Sequence, residues 1–304
     1  MSSVPTRAAA AAATNRHYDL PPEVFEAFLD ARMKYTCGLY RTGGESLDEA
    51  QRDKLAYIAR LLHVGAGQRV LDIGCGWGSL AVYLAVEHGC RVTAVTPSRV
   101  QSEYVRDRAA GAGVTGLVTV ETGYFPDVSL PAAEFDAIAM VEVIEHMPDH
   151  GAALAQTARM LRRQGHLYLS ATCYRSGDHQ ADAEHRPGSE HAVGLYGFTA
   201  MVTLSKIIGA LETAGFSIAA LTDMTSHYRQ TMAHWQQRIT DNRQRMEVAA
   251  PGFGTEISRY FDTAVASWGY TARNYSIAAV RSRMGRSEYC DDIGPAHRRT
   301  CPAS

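Results

Sequence analysis

The segment Arg69-Val-Leu-Asp-Ile-Gly-Cys-Gly-Trp-Gly78 restricts the fold of this chain more than any other. Arg69 to Ile73 reads as a short buried strand, and it runs directly into three glycines at alternate positions. A helix is expected to follow from Ser79 to Glu87. Glycines suit such a junction because the backbone must turn sharply from strand to helix and let a ligand approach closely. Asp72 stands two residues before Gly74, and the GxGxG spacing differs from the GxGxxG of dinucleotide-binding turns.

The same alternation continues along the chain. Strands are expected at Arg91–Thr96, Leu117–Glu121, Phe135–Val141, His166–Thr172, Phe216–Leu221 and Tyr275–Val280. Helices are expected at Ser98–Gly111, Ala152–Leu161 and from about Thr199 to Ala214. Upstream, Pro21-Pro22 opens an amphipathic helix, and Ser46 to Leu62 forms another, with Ser46 and Glu49 spaced as a capping box. Such alternation predicts an α/β fold with a doubly wound, mostly parallel sheet whose ligand sits off the carboxyl ends of the strands. The expected division is a disordered leader over 1–14, one domain over 15–283 and a loose tail over 284–304. Within the domain, 15–63 is a helical cap, 64–172 the core, 173–214 a lid and substrate segment, and 215–283 the end of the sheet.

Composition narrows the partners. Thirty basic residues oppose 32 acidic ones, so binding to nucleic acid through bulk charge is not expected. No apolar run reaches the roughly 18 residues of a membrane span. Six scattered cysteines form neither a disulfide framework nor a zinc site, and the default setting is cytoplasmic. The basic residues are almost all Arg, the exceptions being Lys34, Lys54 and Lys206. Codon bias accounts for that, while an alternative is that some Arg side chains grip an anion.

The glycine loop resembles the first motif of class I S-adenosylmethionine-dependent methyltransferases, in which it backs the amino-acid end of the cofactor. Further segments together resemble the cyclopropane fatty acid synthase and mycolic acid cyclopropane synthase family. They are His17-Tyr-Asp-Leu20, Tyr35-Thr-Cys-Gly-Leu-Tyr40, Leu47-Asp-Glu-Ala-Gln51, Val70 to Gly78, Val95-Thr-Pro-Ser98 with Gln101, Ile144-Glu-His146 and His227-Tyr228. The resemblance implies a seven-stranded methyltransferase fold. Tyr35 and Thr36 would close over the cofactor, with Asp72, Gly74, Cys75, Gly76 and Gly78 forming the loop at its methionine end. Thr96 and Gln101 would meet the ribose, and Tyr124 and His146 would complete the pocket. The family also holds a bicarbonate ion as a base. Cys37, Glu145 and Tyr228 match three of its ligands, whereas Ser170 stands where the family has His and Thr172 where it has Ile. Ser170 brings no positive charge to an anion.

The expected activity is methyl transfer to an alkene carbon of a lipid-like acceptor, either an unsaturated acyl chain or an isoprenoid diphosphate. Attack by an alkene leaves a cation on the substrate, which calls for aromatic faces and a base. Tyr40, Tyr168, Tyr196, Phe198, Tyr228 and Trp235 are candidates for the former. Glu145 is the candidate base and Glu142 its competitor, with Cys37, Tyr228 and Ser170 completing the catalytic set. The polar stretch from Cys173 to Phe198 reads as an irregular lid, in which Arg175 and Arg186 could clasp a phosphate, aided by Arg229 and Arg238 on a helix expected after Tyr228. A diphosphate substrate would bring Mg²⁺ near Asp178, Asp182 or Glu184, while no protein-held metal site is expected. Transient membrane contact and a homo-oligomer are compatible with this reading. Three alternatives stay open: a cyclopropane synthase, an N- or O-methyltransferase of a small metabolite, and a cofactor-binding protein with a degenerate site.

Overall fold

The computed structural model describes residues 18–185 and 199–281. Seven strands form one sheet: β1 (Arg69–Ile73), β2 (Arg91–Thr96), β3 (Val118–Thr122), β4 (Phe135–Val141), β5 (Leu161–Tyr174), β6 (Ser217–Asp223) and β7 (Ala272–Val280). Their order is β3-β2-β1-β4-β5-β7-β6. All neighbours are parallel except β7, which runs antiparallel to both β5 and β6. The chain reverses its direction of winding between β1 and β4, so a crevice opens at their carboxyl ends.

Nine α-helices lie among the described residues. They are α1 (Pro22–Glu26), α2 (Leu47–Leu61), α3 (Ser79–His88), α4 (Arg99–Gly111), α5 (His150–Met160), α6 (Gly177–His185), α7 (Leu204–Thr213), α8 (Thr225–Ala249) and α9 (Phe253–Ser267). The expected capping box is present: the Ser46 hydroxyl accepts from the Glu49 amide, and the Glu49 carboxylate accepts from the Ser46 amide. Ser98 caps α4 through its bond from the Gln101 amide. The strands carry apolar side chains on both faces. Leu55, Ile58, Leu80 and Leu84 pack with Val70, Val92 and Ala139 on one side of the sheet. Leu154 and Leu211 pack with Leu71, Ile73, Ile138, Met140 and Leu169 on the other.

Three expectations need correction. β5 starts at Leu161 and ends at Tyr174, because β4 and β7 pair with it well beyond His166–Thr172. The lid segment is not wholly irregular, since Gly177–His185 is helical, and residues 199–203 precede rather than open α7. The 215–283 region is not simply the end of the sheet. Between β6 and β7 it inserts α8 and α9, whose Met232, Trp235, Ile239, Met246, Ile257 and Phe261 pack with Val24, Phe25, Phe28 and Trp77. The cap is therefore built from both ends of the sequence and closes over the carboxyl ends of β1 and β4.

Candidate active site

An open cavity of about 870 Å³, solvent at its mouth included, lies where β1, β2 and β4 end beneath the N-terminal segment. Its floor is the glycine loop. Gly74 has φ +71°, and a Cβ there would lie 2.3 Å from a methyl of Val143. Gly76 has φ +53°, and a Cβ there would meet no atom within 4 Å. Both positions thus need glycine, one for packing and backbone angle together and the other for backbone angle alone. Cys75 lines the floor as well. Gly78 serves the helix instead, turning the chain into α3 at φ +76° while pressed against Val105. Asp72 lies beneath the loop rather than on the cavity wall; burial pushes its carboxyl up to about 6, and the Lys34 charge pulls it partly back.

The other predicted cofactor residues surround the same space. The Thr96 hydroxyl donates to Gln101 Oε1 at 2.7 Å, which fixes both at the end of β2. The Tyr124 hydroxyl donates to the His146 carbonyl at 3.1 Å, and both residues border the cavity. Tyr35 and Thr36 enter from the N-terminal segment. The arrangement fits S-adenosylmethionine: open glycine backbone for its amino-acid end, a fixed hydroxyl and amide pair for a ribose, and a slot beside Tyr124 for a ring.

Lys54 and Gln51, not singled out from the sequence as site residues, hold that N-terminal segment in place. Lys54 on α2 is buried and donates to Thr36 Oγ1 at 2.5 Å. Gln51 Nε2 donates to the Thr36 carbonyl at 2.8 Å. Lys34 is buried at the cavity edge. Burial, then the charge of Lys34, brings the Lys54 ammonium down to about 7, while Glu142, Cys37 and Asp30 oppose that fall. Two of the three lysines in an Arg-rich chain thus lie beneath one pocket, a bias visible in the sequence but readable only once the fold joins them.

The expected bicarbonate ligands do not enclose a free anion site. The Cys37 amide donates to Glu142 Oε1 at 2.9 Å, while its thiol turns to the Gly38 and Met224 carbonyls. The Tyr228 hydroxyl acts on the same Glu142 carboxylate and helps to hold it down against the effect of burial. Glu145 faces away toward β5, where Oε1 accepts from the Thr172 amide at 2.5 Å. Burial pushes the Glu145 carboxyl up to about 8. Ser170 is buried in β5 and its carbonyl accepts from the Glu142 amide at 3.0 Å. A bicarbonate would have to share its donors with a carboxylate of like charge, so the residues present do not fit that ion.

The acceptor-side candidates separate. Trp235 lies 5.1 Å from Tyr35 and 6.0 Å from Tyr228, measured between ring centroids, so these three form one aromatic group. Tyr40 stacks on His234 at 5.7 Å, in the cap. Tyr168 is a core residue, buried edge-on to Tyr57 at 6.4 Å. Arg175 lies over the Tyr270 ring at 5.9 Å, Arg238 bonds to the Leu29 carbonyl and Asp48, and Arg229 is exposed, so these three do not gather into a clasp. Arg186, Tyr196 and Phe198 lie outside the described residues. Among the described residues, no cluster of His, Cys, Asp or Glu could hold a metal ion.

The sheet order and the glycine-floored crevice define the fold of a class I methyltransferase. The sequence profile of mycolic acid cyclopropane synthetase matches residues 6–276, and the chain belongs to that family. A probable fatty acid methyltransferase of Pseudomonas putida is 29% identical over 250 residues, 79% of this chain and 61% of that protein. A sphingolipid C9-methyltransferase of Komagataella phaffii is 29% identical over 245 residues, 75% of this chain and 48% of that protein. The chain therefore spans about half to three-fifths of the length of these curated relatives. The solved structure of the cyclopropane synthase MmaA2 from Mycobacterium tuberculosis superposes with a TM-score of 0.81 at 20% identity, covering 88% of this chain and 98% of that one.

Proposed function

We propose that this chain is an S-adenosylmethionine-dependent C-methyltransferase acting on an alkene carbon of an unsaturated acyl lipid. The observation that carries this reading is one cavity joining the glycine floor to the Glu142 carboxylate held by the Cys37 amide, with Tyr35 on its wall and the Trp235 and Tyr228 rings packed behind Tyr35. When bound, the cofactor supplies an already electrophilic methyl group, so the protein's contribution is positioning. Gly74 and Gly76 receive its amino-acid end, Thr96 and Gln101 its ribose, and Tyr124 with His146 its base. The alkene approaches from the cap side, where the aromatic group stabilises positive charge as it develops on the substrate. A carboxylate at the cavity wall then takes a proton from the adjacent carbon, and the double bond re-forms.

An acyl acceptor is favoured over a diphosphate because the two relatives are named for fatty acid and sphingolipid methylation, and because Arg238 is already committed within the cap. Proton loss from the adjacent carbon is favoured over closure of a ring through the new methyl group because these two relatives are named as methyltransferases. The test is incubation with methyl-labelled cofactor and a panel of unsaturated acyl lipids, prenyl diphosphates and small amines. The expected product is a labelled acyl chain that still takes up hydrogen under mild hydrogenation, as an alkene does and a cyclopropane does not. Label found in the amines alone would sink the reading.

A further inference from the structure

Glu142 is the residue whose conformation needs explaining. It follows β4 directly and has φ +52°, a left-handed backbone that a glutamate adopts at an energetic cost and that glycine would adopt freely. The backbone is held there by the bond from the Glu142 amide to the Ser170 carbonyl at 3.0 Å. The outcome is that its carboxylate is delivered to the cavity wall, between the Cys37 amide and the Tyr228 hydroxyl. The buried Lys54 ammonium acts on the same carboxylate and supplies its countercharge. The Cys37 amide donor, with the Tyr228 hydroxyl and Lys54 acting on the same group, makes an anion seat that is already filled by the chain itself.

We propose that the Glu142 carboxylate is a built-in substitute for bicarbonate, filling the seat formed by Cys37 and Tyr228 and acting as the proton acceptor of the reaction. The base role rests on the alkene-methylation reading above; the seat does not. In the step assigned to Glu142, a C–H bond next to the cationic carbon breaks and its electron pair becomes the new C=C bond. The proton goes to a Glu142 carboxylate oxygen and returns to water after product leaves. Glu145, turned to the Thr172 amide, is a positioning residue that ties the loop after β4 to β5.

The test compares wild type with Glu142→Gly and Glu142→Gln in the full chain, using formate and bicarbonate as probes. Glycine accepts the backbone angle and empties the seat; glutamine keeps its shape without a base. Calorimetry should show formate binding to Glu142→Gly and none to wild type, with S-adenosylhomocysteine affinity within about twofold in all three, a control for folding. With an acceptor that wild type methylates, both variants should lose roughly 100-fold or more in kcat, the scale of a general base. Formate or bicarbonate should restore turnover in Glu142→Gly alone, and wild type should be indifferent to either. Equal formate binding by wild type and Glu142→Gly, undiminished kcat in Glu142→Gln, or a bicarbonate requirement in wild type would each overturn the proposal. If wild type methylates no alkene in the panel, the functional reading and with it the base role fail, while the formate measurement still decides the seat.

Discussion

At the residue scale, the site depends on backbone angles as much as on side-chain chemistry. Gly74 combines a positive φ with a Cβ position 2.3 Å from Val143. Gly74→Ala should therefore cost about 1–3 kcal/mol, the range for a forced backbone conformation, before the clash is counted. Thermal melts should report that loss, and S-adenosylhomocysteine should bind at least tenfold more weakly. Adding Val143→Ala should recover only the steric part. Lys54→Met tests the electrostatics. Lys54 holds the Glu142 carboxyl below where burial alone would place it, so its removal should move the acidic limb of the kcat/KM profile to higher pH. An unmoved limb would separate Lys54 from the base. The glycine loop was legible in the sequence because its constraint is local and repeated. Glu142 was legible only as a carboxylate near Glu145, since nothing in its neighbours reveals a left-handed backbone or the distant Cys37 amide that it meets.

At the element scale, α2 positions the N-terminal segment through Gln51 and Lys54. Its capping box should be worth about 1 kcal/mol, so Ser46→Ala should lower stability by that amount in denaturant titration. The cofactor should bind nearly as before, because fraying of the first turn stops short of Lys54. This helix was readable because its cap residues and apolar spacing agree. The long α8 was not, apart from a helix expected after Tyr228. Its buried residues Thr231, Met232, Trp235, Ile239 and Met246 recur at helical spacing but are diluted by Gln, Arg and Asn over 25 residues. Such a helix owes its position to tertiary packing, chiefly of Trp235 and Ile239 against the α1 region. β5 was underestimated for a similar reason. Arg162, Arg163 and Gln164 are exposed and look like a turn, yet the strand begins at Leu161, paired with Phe135.

At the scale of the whole molecule, a formal net charge of −2 conceals an uneven distribution. The described Arg side chains include surface pairs such as Arg41 with Asp53 and Arg245 with Glu26, each worth no more than about 1 kcal/mol. The charges that matter lie inside: Asp30, Lys34, Lys54, Asp72 and Glu145 are all buried. This fixes how stability should respond to pH. Burial raises the Glu145 carboxyl to about 8 and the Asp72 carboxyl to about 6 in the folded chain, while the unfolded chain ionises both near ordinary carboxylate values. Between about pH 4.5 and 7 the folded chain then holds more protons than the unfolded one, and stability falls as pH rises. Lys54 acts in the opposite direction only above its lowered value of about 7, where the unfolded chain holds the extra proton. His150, His227 and His234, lowered by burial, act the other way below the ordinary imidazole value, so the melting temperature of the apo protein is read against Glu145→Gln and should fall relative to that variant from pH 5 to 7. Glu145→Gln should remove much of the decline, because an amide at that position has no proton to lose. Equal pH slopes in wild type and Glu145→Gln across that interval would mean that this carboxyl ionises freely in the folded chain, and the buried-charge account of the site would fail with it.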